Sequence, residues 1–486
     1  MNGGMNEPRR TSGPRRTSGP GRASRSGRAD VSGRAESETS RGLLDTVLST
    51  ILRTRGRPAD PGDGVAIEED CRTLLRMGAD GGRRVAERIL DRYDGLDADA
   101  LVRFFRFLAE DLDLDAIRLR ELADAYRRDP SAANLSALLD AAEPRRQELL
   151  RRLNGVPGAT ATLVGMRAAL LDAIPDDPAL ARADLDFRHL FRSWFNRGFL
   201  ELTRISWDSP ASVLAKIIAY EAVHAINGWS DLRSRLQPAD RRCYAFFHPA
   251  MPGEPLVFTE VALVRGTPGN VQRVLDEERE QLPAEEADTA VFYSISNCQR
   301  GLRGVSFGNL LIKQVVADLM RELPNIRTVV TLSPLPGLAR WLEDQRETGD
   351  VLDARRSALT GGRDGDPLAP LRPHSERLEA LAARYLLTAR RAGGAPLDPV
   401  ARFHLANGAQ VHAVHAGADA SVNGIEQSAG VMVNYLYDLD RAQARSEAFA
   451  ADGAVSAARA VRTLSQGAGR VTPSATKRPT ERETAA

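Results

Sequence analysis

Three groups of residues in this 486-residue chain have the types and spacing to do chemistry. Gly301, Gly304 and Gly308 lie between a β-forming run, Val291 to Ser296, and an apolar pattern at helical spacing, Leu310, Leu311, Val315, Leu319 and Leu323, that stops at Pro324. A helix that begins at a glycine turn points unpaired N–H groups and its positive dipole end at the loop, which suits a phosphate or pyrophosphate. The spacing Gly-x-x-Gly-x-x-x-Gly is neither the dinucleotide fingerprint nor the Walker loop, so a tight turn with close helix packing fits it as well. Ser333 ends a second β-branched run, Arg327 to Leu332, and is followed by Pro334, Pro336 and Gly337, which stop a ladder and turn the chain. A hydroxyl there can face a cleft, although Ser-Pro at a strand end is more often a plain turn. His404 falls in a short helical run, Val400 to Leu405, closed by Asn407-Gly408. A lone histidine beside Phe403 and Leu405 is usually a satisfied core residue.

Other candidates are weaker. The run from Ser212 to Ile226 reads as one helix carrying Glu221 and His224 three residues apart, a metal-pair spacing that lacks a second ligand pair nearby. His412 and His415 on a strand would point to opposite faces. The three cysteines, Cys71, Cys243 and Cys298, have neither disulfide-framework nor zinc spacing. No metal site is expected, and a reduced, cytoplasmic compartment fits.

The elements that must position these residues follow from periodicity. From Leu43 to about Leu153 the chain is a series of amphipathic runs, LLDTVLSTIL, EEDCRTLLRM, RRVAERILDRY, ALVRFFRFLAEDL, AIRLRELADAYRR, LSALLDAA and RRQELLRRL, which predict a helical bundle with solvated charge pairs on its outer faces. Phe187, Leu190, Phe191, Trp194, Phe195 and Leu200 form an aromatic cluster, notable where only 5% of residues are aromatic, and are expected in a core or interdomain seam. Strand-like alternation appears at Cys243 to Phe247, Leu256 to Val264, Val411 to Val414 and Val431 to Tyr435. Arg265 to Ala287 reads as a loop and an exposed charged helix, Asp350 to Leu371 as a surface insertion, and Ser375 to Arg391 as an amphipathic helix. Residues 1–40, with RRTSGP at Arg9 to Pro14 and again at Arg15 to Pro20, cannot bury enough surface to fold; their glycines, prolines and acids argue against a mitochondrial presequence, leaving a solvated extension or a nucleic-acid-binding arm. The 66 basic and 65 acidic residues leave a net charge of +1, so no global attraction to nucleic acid or membrane follows. The most apolar stretch is broken by Lys216 and Glu221 and is too short to span a bilayer. The final residues lack a Ser-Lys-Leu signal.

Several separated motifs, in order, resemble the malonyl-CoA decarboxylase family: Phe247-His248-Pro249, Glu254-Pro255-Leu256, Tyr293-Ser294-Ile295-Ser296, Gln299-Arg300-Gly301-Leu302-Arg303-Gly304-Val305, Leu332-Ser333-Pro334-Leu335-Pro336-Gly337, Pro399 to Ala409, and Asn434-Tyr435-Leu436-Tyr437. The resemblance spans about Leu43 to Asp438. It implies an N-terminal all-helical bundle followed by a GNAT-like α/β catalytic domain that binds coenzyme A at the glycine-rich turn. The expected divisions are a disordered tail (1–40), a helical oligomerisation domain (41–205), the catalytic domain (206–440), and a short helix with a disordered tail (441–486).

The resemblance also implies site residues. Ser333 and His404 match the family's catalytic serine and histidine; Ser294 and Tyr437 are expected as hydrogen-bond donors in a substrate pocket with Ser306 and Asn407. Gln299, Arg300, Gly301, Arg303, Gly304, Val305 and Gly308 are expected to bind coenzyme A. Where relatives can carry a carboxylate two residues after Gly304, this chain has Ser306: either that carboxylate is dispensable, or Ser306 and a water replace its hydrogen bonds. The implied reaction, malonyl-CoA to acetyl-CoA and CO2 through a thioester enolate, needs no organic cofactor. A homo-oligomer, possibly a tetramer, is expected through the helical domain. The rivals are an acyl-CoA-dependent transferase, the commoner use of a GNAT-like fold, and a non-catalytic CoA-binding sensor or scaffold.

Overall fold

The computed structural model describes residues 66–78, 81–305, 308–345, 348–361 and 365–467. The expected N-terminal tail, the LLDTVLSTIL run, Ser306 and the last residues lie outside them. The amphipathic runs become helices α1 (Ile67–Arg76), α2 (Arg83–Asp94), α3 (Ala98–Glu110), α4 (Ala116–Arg128), α5 (Ala132–Ala141) and α6 (Arg145–Asn154). Asp97 and Ser131 cap α3 and α5 by accepting from Ala100 and Asn134 N–H. Two further helices, α7 (Ala159–Ala173) and α8 (Ala181–Trp194), complete the bundle. The first has no polar stripe to announce it because it is buried on several sides, through Leu163, Val164, Met166, Arg167 and Leu170.

The second region is built on an eight-stranded mixed sheet. Its strands are β1 (Glu201–Ile205), β2 (Arg241–Phe247), β3 (Val257–Val264), β4 (Thr289–Asn297), β5 (Thr328–Thr331), β6 (Ser333–Pro334), β7 (Gln410–His415) and β8 (Met432–Leu436), in the order β1-β2-β3-β4-β5-β8-β6, with β7 on β8. All pairs are antiparallel except β4 with β5, which α12 (Gly308–Glu322) connects in the crossover that a parallel pair requires. Glu201 to Ile205, the end of the helical domain by sequence, is the sheet's edge strand on β2. The remaining helices are α9 (Ala211–Tyr220), α10 (Trp229–Leu236), α11 (Val271–Leu275), α13 (Leu338–Glu343), α14 (Gly349–Thr360), α15 (Ser375–Thr388), α16 (Pro399–Ala406), α17 (Val422–Ser428), α18 (Leu439–Asp452) and α19 (Arg459–Gly467). This is the helical bundle followed by a GNAT-like α/β domain that the sequence implied.

Four expectations need correction. The helix from Ser212 ends at Tyr220, because the Glu221 carboxylate accepts from Val223 and His224 N–H and turns the chain. The charged run after Arg265 forms the short α11, whose Val271 and Val274 are buried, and a single 3-10 turn at Ala284–Glu286, in place of one exposed charged helix. The insertion after Asp350 contains α14, anchored by buried Val351, Ala354 and Ala358. Among the described residues from Leu439 onward the chain forms both α18 and α19, where one short helix was expected, and Ala457 bridges in parallel to Val411 so that α19 is tied to the sheet.

One seam fixes the glycine loop. Arg167, 1% exposed, pairs with Asp184 at 2.7 Å and donates to the Gly301 carbonyl at 2.7 Å. A Cβ at Gly301 would lie 1.8 Å from the Val164 carbonyl oxygen, so this glycine is required by the approach of α7. The aromatic cluster continues the seam, with the Phe195 ring centroid 4.8 Å from that of His248 at a tilt of 50°, and His248 Nε2 meets the Trp194 carbonyl oxygen at 3.1 Å. No helix among the described residues is long and apolar enough to cross a membrane. Gly301→Ala should cost roughly 1–3 kcal/mol by forcing α7 and the loop apart. Thermal unfolding measures this, and a variant as stable as the parent would show that the seam moves freely.

Candidate active site

The site forms where two parallel strands part. Thr289 to Phe292 of β4 pair with Thr328 to Thr331 of β5, and Leu332 N–H still reaches the Phe292 carbonyl at 2.9 Å. Beyond that point Ser333 and Pro334 pair with Val433 and Met432 of β8 instead. On the other side, the β3 register slips so that Glu260 faces Ser294 and Val261 faces Phe292, leaving Tyr293 as an extra residue. That bulge bends β4 away from β6. Between the parted strands lies a cavity of about 240 Å³ lined by Ser294, Asn297, Ser333, Val400, Phe403 and His404 among others.

His404 reaches the cavity from α16. Asp398 caps that helix by accepting from Ala401 N–H at 2.8 Å, and Pro399 follows at its first position. The same carboxylate accepts from the Tyr385 hydroxyl at 3.2 Å, beside Gly337, where a Cβ would meet that hydroxyl at 2.2 Å. The turn after Ser333 and the start of the His404 helix are thus locked together. At the other end Asn407 is the C-cap, its side-chain N–H donating to the Phe403 carbonyl, and Gly408 takes φ +82°.

Ser333 Oγ lies 3.2 Å from His404 Nε2 and donates to Thr331 Oγ1 at 2.9 Å; His404 Nδ1 lies 2.8 Å from the Tyr437 hydroxyl. These contacts fix one consistent proton arrangement. Ser333 spends its proton on Thr331, so Nε2–H donates to Ser333 and Nδ1 accepts from Tyr437. Thr331 Oγ1 also accepts from Tyr435 N–H at 3.2 Å, which lets the Ser333 proton turn toward a ligand without stranding Thr331. The imidazole stacks on Tyr435 with centroids 4.4 Å apart and meets Phe403 edge-on. Burial pushes His404 down to about 3, so it is neutral at physiological pH, and burial holds the Tyr437 hydroxyl well above its usual range.

The opposite wall has a different polarity. Ser294 Oγ donates to Glu221 Oε1 and Oε2 at 2.8 and 2.7 Å, and Ser296 donates to Oε2 at 3.2 Å. Ser294 therefore turns lone pairs, not a proton, to the cavity, contrary to its expected role as a donor. Tyr437 is likewise not in the cavity lining; it supports His404 from behind. Asn407 is fully buried and serves the helix end. A second concavity of about 460 Å³ shares Asn297 and Phe403 with the first and is lined by Gln299, Arg300, Arg303, Gly304 and Val305. Gly301 faces the α7 seam instead, and Gly308 starts α12. Among the described residues no cluster of three His, Cys, Asp or Glu could hold a metal ion. Glu221 and Thr331 were not singled out for this site by sequence; Glu221 was visible only as half of a metal-pair spacing.

Behind Ser294 lies Glu260, fully buried, with one oxygen 3.2 Å from Arg235 and the other without a hydrogen-bond partner. Arg235 is also held by Asp231.

A GNAT-like α/β domain with a histidine-bearing polar cleft between parted strands, joined to a helical bundle, defines the class. The Malonyl-CoA decarboxylase C-terminal domain family matches residues 198–476 and the N-terminal domain family residues 113–195. The chain belongs to the malonyl-CoA decarboxylase family. It is 35% identical over 406 residues to the mitochondrial malonyl-CoA decarboxylase of the goose Anser anser anser, covering 76% of this chain and 80% of that protein. It is 36% identical over 330 residues to the Rattus norvegicus protein, 61% of this chain and 66% of the relative. Crystal structures of malonyl-CoA decarboxylase from Rhodopseudomonas palustris and Agrobacterium vitis superpose with TM-scores of 0.76. They are 49% and 48% identical, covering 83% and 82% of this chain and 100% and 99% of theirs.

Burial, and then the nearby Glu221, push Glu260 up to about 8. Between the ordinary glutamate range and pH 8 the folded chain keeps a proton that the unfolded chain has released, so stability falls as pH rises through that window. Glu260→Gln, neutral throughout, should melt higher than the parent at pH 8 and close to it at pH 5. A gain absent at pH 8 would show that the Arg235 contact requires the charge.

Proposed function

We propose that this chain is a carboxy-lyase that converts malonyl-CoA to acetyl-CoA and CO2, with Ser333 and His404 at the reacting thioester. The observation that supports this most is the Ser333–His404–Tyr437 chain at the fork of β4 and β6, beside the loop residues expected to hold coenzyme A. The larger concavity presents Arg303 and Arg300, the latter paired with Asp172 on the same lining, and the start of α12 follows in the chain, an arrangement that suits the phosphates. The adjoining cavity takes the acyl end.

Decarboxylation needs a place for charge to develop, not an electron sink from a cofactor. As the C–C bond breaks, its electrons move onto the thioester oxygen, and Nε2–H of His404 with the Ser333 hydroxyl stabilises that oxygen. A neutral imidazole suits this role, since it donates without being an acid strong enough to protonate the substrate prematurely. The enolate carbon then takes a proton through Ser333, and one solvent proton restores the network. Malonyl-CoA and H⁺ give acetyl-CoA and CO2. No organic cofactor or metal enters this route. Assembly through the helical domain belongs to the same reading: α4 and α5 bury no side chain and expose Ile117 and Leu139. So does a cytoplasmic setting, which suits three free, buried cysteines.

Purified protein given malonyl-CoA without an amine acceptor should release acetyl-CoA and CO2 in equal amounts. Ser333→Ala and His404→Ala should each lower kcat by about 10²-fold or more while CoA binding persists. Undiminished turnover in both variants would overturn the site assignment, and binding without turnover in the parent would favour a transferase or sensor.

A further inference from the structure

The wall opposite His404 is organised around one carboxylate. Glu221 Oε1 accepts from Val223 N–H and His224 N–H, both at 2.8 Å, and its two oxygens take the protons of Ser294 and Ser296. Four donors converge on the oxygens of this one side chain, each of which accepts. Glu260, behind Ser294, is the carboxyl held toward its protonated form, by burial first and then by the nearby Glu221. Ser294 has one hydrogen, directed to Glu221, so its lone pairs face the cavity.

Malonyl thioesters carry two groups that want donors, the thioester oxygen and the carboxylate. The Asn297 amide lies at the junction with the larger concavity, and the hydroxyl and imidazole donors stand at one end, on Ser333 and His404. If the thioester oxygen occupies them, the carboxylate lies toward a wall of lone pairs backed by an anion. A carboxylate is poorly placed there, and neutral CO2 is not, so the strain is relieved as the bond breaks. We infer that Glu221 is a positioning residue that holds Ser294 as a hydrogen-bond acceptor, so that the serine facing Ser333 and His404 offers the malonyl carboxylate no donor; the Asn297 amide stands apart, where the cavity joins the larger concavity. This rests on the decarboxylase reading.

The test uses the full-length protein and malonyl-CoA. Glu221→Gln presents an amide N–H₂ to Ser294, whose proton can then turn into the cavity and bind the carboxylate. KM should fall and kcat should fall, each by about tenfold, the signature of a ground state stabilised more than the transition state. In a Ser294→Ala background the same substitution should change neither, because the effect passes through that hydroxyl. An unchanged kcat, a raised KM, or an equal effect in the Ser294→Ala background overturns the inference. A second measurement needs no variant: a non-decarboxylating sulfonate analogue of malonyl-CoA should bind the parent no tighter than acetyl-CoA does. Tenfold tighter binding of the analogue would contradict it. A parent without turnover would instead refute the decarboxylase reading itself, which the product assay separates from either result.

Discussion

The site depends on the separation of two parallel strands after four residue pairs. A parallel pair deep in a sheet has every reason to continue, because each unpaired N–H or C=O left in the interior is costly. Here the cost is avoided on both sides. Tyr293 is accommodated as a bulge against β3, and Ser333 with Pro334 transfers to β8, where proline's missing N–H leaves no donor unpaired. The cavity between the strands is the direct product of that exchange. The glycine loop and α12 follow the free end of β4, so the nucleotide-sized concavity and the acyl-sized cavity meet at Asn297 and Phe403.

The two walls of the fork then differ in hydrogen-bond polarity. On one, Tyr437, His404 and Ser333 form a chain that ends in a donor, stacked on Tyr435 and sealed from water so that the imidazole remains neutral. On the other, Glu221 draws the proton of Ser294 away from the cavity, with Ser296 bonded to the same carboxylate from behind the lining. Neither wall is self-supporting. Asp398 joins the α16 cap to the turn after Ser333, and α7 of the helical bundle presses directly on the backbone of Gly301. The helical domain thus sets the height of the loop against the sheet as well as covering it.

Much of this was legible in the chain. The strand, glycine loop, helix and strand from Val291 to Leu332 were readable because β-branched and helical periodicities change over at glycines and a proline. The bundle was readable because its helices have one wet face; α7, buried on several sides, gave no such stripe. Ser333 and His404 drew attention through flanking prolines and a helix stop, and family resemblance gave them roles that the local pattern alone could not. Glu221 reads as a helical residue in sequence because two of the donors that hold its carboxylate away from the helix, Ser294 and Ser296, lie more than seventy positions away in the chain and add to the local Val223 and His224 N–H groups. The polarity of Ser294 was hidden for the same reason: a hydroxyl's role depends on its partners, and those are tertiary.

The central claim is that this fork generates a thioester enolate and returns a proton to its carbon. The most direct measurement is malonyl-CoA turnover in D2O, with the methyl group of the product examined by mass spectrometry. The account predicts one CO2 and one solvent-derived deuterium delivered to each acetyl-CoA as it forms. Loss of the acyl group as free malonate, or its transfer intact to an acceptor, would contradict it.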